Sequence, residues 1–132
     1  VIRDSAVRDS EEKVTVMPTG FRDMRVYQQA FAVSLNVHKA SLEFPKIEQY
    51  ALASQMRRAS KSICANLAEG YGKQSHSVPE FNRFISMSIG SANEMIVWTE
   101  YALALGYITE ETFATWSDSF DHIAKMLQKL RK

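Results

Sequence analysis

Apolar residues recur every three or four positions from Phe21 to Phe44, with Val26, Ala30, Val33 and Val37 on one line and Tyr27, Phe31, Leu35 and Leu42 on the next. Side chains three and four residues apart share a helical face, so these lines are adjoining stripes of one helix. Pro45 cannot continue a helix and is expected to stop it. A second helix is read from about Gln49 to Gly70 through Leu52, Met56, Ala59, Ile63 and Leu67. Gly70 and Gly72 are expected to terminate it by supplying the left-handed conformations that helix ends use. After the linker "KQSHSV", the stretch from Ser77 to Glu80 fits a capping box with proline in the first turn. A third helix is expected over Pro79–Leu105 through Phe81, Ile85, Ala92, Met95 and Ala102, closed by Gly106. Thr109 opens a fourth, with Glu110 and Glu111 at its start and Lys125, Lys129, Arg131 and Lys132 near its end, which complements the helix dipole.

Four long helices with short connections and almost no strand signals predict an all-α fold, an antiparallel up-and-down four-helix bundle over residues 21–132. Residues 1–20 have no helical stripe, repeat the tripeptide "RDS" and end in a Pro-Thr-Gly turn signal, which reads as an N-terminal arm. Within it "VTVM" alternates as a short edge strand would. The small run "SIGSA", Ser88–Ala92, is expected to let the third helix approach a neighbour closely at Gly90.

Composition narrows the class. A chain of 132 residues that is 45% hydrophobic and 23% charged is one helix-rich globular domain with one core. The single cysteine, Cys64, cannot form an internal disulfide, which fits a reducing compartment and a small apolar role. The longest apolar run, "MIVWTEYALAL", is too short for a bilayer and is interrupted by Glu100, so no membrane association is expected and a cytoplasmic location is. The formal net charge of +1 is unevenly spread: residues 49–73 carry a local +3 and residues 74–106 a local −2.

Bundles often house carboxylate-bridged metals, which need a Glu followed three residues later by His on two helices. That pattern is missing, and His38, His76 and His122 lie on separate segments, so neither metal nor cofactor is expected. "EGYGK" follows a helix, whereas a phosphate loop precedes one. Nothing asks for a nucleophilic triad, and the expectation is a non-enzyme. The remaining signal is "RRASK". With Met56 as the inward reference, Arg58 and Lys61 point away from the core while Arg57 and Asn66 lie on its two flanks. Such a face suits either plain solvation or phosphate contact, the latter gaining from counterion release and from repetition in an oligomer.

The segments "FRDMRVYQQAF", "YALASQMRRASKSICANLAEGYGK", "EFNRFISMSIGSANE" and "ALALGYI" resemble the bacterial four-helix-bundle proteins encoded by intervening sequences within 23S ribosomal RNA genes. That family is similar in turn to the accessory proteins of diversity-generating retroelements. The resemblance implies an antiparallel four-helix protomer, a homopentamer, RNA or DNA as a partner, and no enzymatic activity. By motif, Arg57, Arg58, Ser62, Asn66, Glu69 and Gly70 match its second-helix pattern, and Arg83, Phe84, Gly90, Ser91 and Glu94 its third. The resulting expectation is a homo-oligomeric adaptor that engages structured nucleic acid through repeated Arg57, Arg58 and Lys61. Asn66, Glu69 and Glu94 are expected to serve as structural polar groups. The alternative is a structural or protein-binding scaffold with no nucleic-acid role. Phe31, Leu35, Met87 and Trp98 exceed what one core needs, which favours self-association in either case. An ion pair between Arg57 and Glu94 is also expected, its loss costing about 1–4 kcal/mol if partly buried.

Overall fold

The computed structural model describes residues 20–132, which form four α-helices: α1 (Arg25–Ser41), α2 (Leu52–Lys73), α3 (Val78–Ala104) and α4 (Glu110–Leu130). Single turns of 3-10 helix at Phe21–Asp23 and Lys46–Glu48 precede α1 and α2. Apart from Gly20, the expected N-terminal arm and its strand-like alternation lie outside the described residues. Each helix packs on the next and α1 closes on α4, with α2–α3 the most extensive seam. At one end Phe21 meets Tyr71 and the Lys132 amide donates to Asn82 Oδ1, while at the other Phe44 meets Tyr107. The fold is therefore all-α and up-and-down. None of the described helices is long and apolar enough to cross a membrane.

The predicted stripes make the core. Val37 of α1, Met56, Ile63 and Leu67 of α2, Ile85 and Met95 of α3, and Phe120, Ile123 and Leu127 of α4 are fully buried. Burying each large apolar side chain contributes about 1.5–3 kcal/mol. Three helix ends follow the sequence signals. Ser77 Oγ accepts the Glu80 amide at 3.2 Å, although the Glu80 carboxylate turns to Arg83 and leaves the box half made. Thr109 Oγ1 accepts the Thr112 amide at 3.1 Å. Gly106, at φ 81°, ends α3: its amide bonds to the Leu103 carbonyl at 2.9 Å and the Tyr107 amide to that of Ala102 at 2.8 Å.

Two expectations about glycine are overturned. Gly70 and Gly72 do not terminate α2; both lie inside it, the helix runs on to Lys73, and Gln74 caps it. Gly106 alone among the described glycines has positive φ. Gly70 is instead a point of close approach between α2 and α3, since a Cβ there would sit 3.0 Å from Phe84 Cβ and 3.5 Å from the Phe81 carbonyl oxygen. Gly90 is the reverse case. It was expected at a close approach, yet it is exposed and a Cβ there would meet nothing within 4 Å. Its neighbours make the contact: Ser88 Oγ donates to the Ile63 carbonyl at 2.9 Å, and Ala92 is fully buried. The first helix also stops earlier than Pro45 requires. It ends at Ser41, and Pro45 opens the short turn that leads into α2.

Candidate nucleic-acid interface

The basic run of α2 does not form one surface. Arg57 is half-buried, and its guanidinium spans the α1–α2 connection: Nη1 donates to Ser41 Oγ at 2.8 Å and Gln49 Oε1 at 3.3 Å, and Nη2 to the Gln49 carbonyl at 3.0 Å. Gln49 Nε2 in turn donates to the carbonyls of Ser41, the last residue of α1, and of Phe44 in the turn that follows. Glu48 completes this corner. Its Oε1 accepts the first amide of α2, from Leu52, at 3.2 Å, and its Oε2 accepts the Tyr107 hydroxyl at 2.8 Å. That bond, with burial and the Glu48 charge, raises the Tyr107 pKa. The expected Arg57–Glu94 ion pair is not formed. Arg57 turns to the loop that closes over it, and the exposed Glu94 carboxylate instead accepts Trp98 Nε1–H at 3.2 Å.

Arg58 is exposed and shares a concavity between α2 and α3 with Gln55, Ser62, Ser91 and Glu94. Lys61 points to the other side of α2, where its Nζ lies at hydrogen-bond distance, 2.9 Å, from His38 Nδ1. Burial, and then the neighbouring Arg57 charge, lower the Lys61 pKa. Asn66 is half-buried as expected, with Nδ2 donating to the Ser62 carbonyl at 3.0 Å and to Ser62 Oγ at 2.9 Å. Ser91 Oγ reaches the same hydroxyl at 3.1 Å, so the polar residues of both motifs sew α2 to α3. Glu69 is exposed beside Lys73 and His76.

A more basic surface lies at the end where α1 and α3 begin and α2 and α4 finish. That half of the bundle holds eight Lys and Arg side chains against four Asp and Glu, and the opposite half five against seven. Arg22 lies over the Phe21 ring at 4.6 Å, Lys132 Nζ over Phe81 at 4.9 Å, and Arg131 donates to Ser86 Oγ at 2.8 Å. Arg25 and Lys129 are exposed and Lys73 is half-buried. Arg83 is paired with Glu80 at 3.1 Å, and Lys125 with Asp121 at 3.0 Å. Sequence reading missed this cluster because its members lie on four separate segments, although the antiparallel order of the helices already brings those segments together.

Between α1 and α2 runs an apolar groove of ≈ 360 Å³, walled by Phe21, Tyr27, Phe31, Leu35 and Cys64, with Arg22 and Lys61 among its lining residues. Cys64 is half-buried, and burial pushes its thiol up to about 12, so it stays protonated and unreactive near neutral pH. Among the described residues no group of His, Cys, Asp and Glu side chains is arranged to hold a metal ion.

A family profile described as "23S rRNA-intervening sequence protein" matches residues 22–129, nearly the whole bundle. The chain belongs to that family. Among solved structures, this intervening sequence protein is similar to a protein of unknown function from the S23 ribosomal protein family of Bacteroides thetaiotaomicron VPI-5482. The two align with a TM-score of 0.70 at 23% identity, over 81% of this chain and 98% of the other, a likeness of fold. No curated protein matches the chain.

Proposed function

We propose that this protein is a non-enzymatic, homo-oligomeric adaptor that engages structured nucleic acid, RNA foremost, with the basic end of the bundle as the phosphate-contacting surface. The observation that carries this reading is the segregation of charge. Among the described residues of a chain of net charge +1, Lys and Arg gather at the end where α1 and α3 begin and α2 and α4 finish, those on α2 and α4 at the negative ends of their helix dipoles. Neutralising phosphates with Lys and Arg releases condensed counterions, and copies of the chain held together multiply the contacts. Exposed Phe31, Leu35, Met87 and Tyr101 support self-association. Arg58 adds an outward charge nearer the middle, whereas Arg57 is engaged by Ser41 and Gln49.

The test is a salt titration of binding to hairpin RNA, duplex RNA and duplex DNA by the wild-type chain and by a Lys73→Glu, Lys129→Glu double variant. The expected result is a linear fall of log affinity with log salt, and binding at least tenfold weaker by the double variant. No binding at low salt, or binding without a salt slope, leaves the self-associating protein scaffold as the better reading.

A further inference from the structure

The concavity between α2 and α3 has a volume of ≈ 190 Å³ and lies apart from the basic end. Ala59 is buried at its base, Ser62 and Ser91 are half-buried, and the longer side chains of Gln55, Arg58 and Glu94 are exposed around it. Pockets that enclose a drug-sized molecule run to roughly 300–1,000 Å³, so this one suits a single small group.

The fold does not use up its polar atoms. Among the described residues the Arg58 guanidinium has no hydrogen-bond or ion-pair partner, and the Glu94 carboxylate accepts only from Trp98 Nε1–H. The two charges do not pair with each other. Ser62 Oγ accepts from Asn66 Nδ2, and one further hydrogen bond joins it to Ser91 Oγ, so two hydroxyl hydrogens share a single mutual bond. One O–H is left to donate.

A carboxylate only accepts and a guanidinium only donates, so a ligand between Arg58 and Glu94 must itself carry donors on one side and an acceptor beside them. Guanine does so. Its N1–H and N2–H lie side by side and can meet both carboxylate oxygens, while O6 next to them accepts from Arg58 or the free hydroxyl. In adenine and cytosine the amino group borders an accepting ring nitrogen, and in uracil the N–H stands between two carbonyls, so each sets an acceptor against Glu94. A cationic guanidinium offers the same paired donors but meets the charge of Arg58.

Position links this concavity to the basic end. Gln55, Arg58, Ser62, Asn66, Glu69 and Lys73 recur at three- and four-residue intervals and form one stripe of α2, with Arg58 about 22 Å from Lys73 by the helical rise.

We propose that the α2–α3 concavity takes an unpaired guanine base of an RNA whose phosphates lie on the basic end, Glu94 accepting from N1–H and N2–H and Arg58 donating to O6. This proposal rests on the nucleic-acid reading above and adds its specificity, since phosphate contacts position a strand and base contacts identify it.

Titration with the 5′-monophosphates of guanosine, inosine, adenosine, cytidine and uridine tests the site without RNA. The readout is the NMR signal of the Trp98 indole N–H, identified by its loss in Trp98→Phe. Guanosine monophosphate is expected to shift it with about tenfold higher affinity than the others, inosine monophosphate being weaker because it lacks the N2 amino group. Glu94→Gln is expected to abolish that preference with the circular dichroism unchanged. A signal unmoved by guanosine monophosphate, equal responses to all five, or a preference that survives Glu94→Gln overturns the guanine site. Hairpin RNAs differing in one loop base complete the test: the wild-type chain is expected to favour guanine about tenfold, and the Lys73→Glu, Lys129→Glu variant to bind every hairpin more weakly while keeping its response to guanosine monophosphate. RNA binding without base preference overturns the guanine site and leaves the phosphate surface. A nucleotide response without RNA binding overturns the nucleic-acid reading and leaves a guanine-nucleotide site, so the two fail separately.

Discussion

At the end of the bundle where α1 hands over to α2, Arg57, Gln49 and Ser41 are joined by hydrogen bonds, and a second pair, Glu48 and Tyr107, is joined separately. At the opposite end the helices meet through rings and backbone: Phe21 packs edge-on against Tyr27 and Tyr71 with centroids 5.2 and 6.5 Å away, and Gly70 lets Phe84 lie against α2. The contrast teaches that an arginine's role follows from what crosses it. A connection rich in carbonyls and amides passes over Arg57 and absorbs its donors. Contact through rings and backbone makes no such demand on Lys73 or Lys129.

The largest test of this contrast is Arg57→Ala. Hydrogen bonds to a charged group contribute about 1.5–3 kcal/mol, and truncation also leaves buried Ser41 and half-buried Gln49 short of a partner, so urea unfolding should show a loss of about 2–3 kcal/mol. Arg57→Lys should recover less than half of it, because an ammonium cannot reproduce the planar fork. A loss below about 0.5 kcal/mol would place Arg57 among ordinary surface cations and dissolve the comparison.

At the other end, Gly70→Ala should destabilise by about 1 kcal/mol, the overpacking against Phe84 exceeding the gain in helix propensity. Gly72→Ala, which meets nothing, should stabilise by about 0.5–1 kcal/mol. Equal signs for the two would mean that α2 and α3 have no tight point there.

Smaller still, Lys73→Ala and Lys129→Ala should each change stability by less than about 0.5 kcal/mol. Each phosphate contact so removed should flatten the salt dependence of RNA binding by about 0.9 in slope. Stability losses like that of Arg57→Ala would show that the basic end is part of the scaffold.

The finest test is pH. The Tyr107 pKa is raised from 10.0 by its bond to Glu48, so the folded chain holds that proton more tightly than the unfolded one. The stabilisation is complete below about pH 10 and is lost as pH rises through the folded value. Melting temperatures of wild-type and Tyr107→Phe chains should therefore converge in alkaline solution, and a constant gap would exclude the Glu48 bond as the cause.

What the sequence disclosed divides along the same physical line. Stripes such as Met56, Ile63 and Leu67 are local patterns, and so are the caps Ser77 and Thr109 and the terminator Gly106; all could be read directly. The flank position of Asn66 followed from helical angle alone. Gly70 could not be told from a terminator, because what makes it necessary is Phe84 on another helix. The half-buried position of Arg57 was legible, but its partner was not, since the path of the loop carrying Gln49 leaves no periodic trace. The basic end escaped notice for a related reason: its charges are dispersed in sequence and gathered only by topology.

The order in which the helices pack has a kinetic meaning. Because α1 touches α2, α2 touches α3 and α3 touches α4, most of the interior is built between segments adjacent in the chain, and the α1–α4 seam is the main helix pair that joins distant ones. Topologies dominated by such near neighbours have small loop-closure costs and fold in microseconds to milliseconds. Stopped-flow or temperature-jump refolding should place this chain in that range, and a core mutation confined to the α1–α4 seam should speed unfolding more than it slows folding.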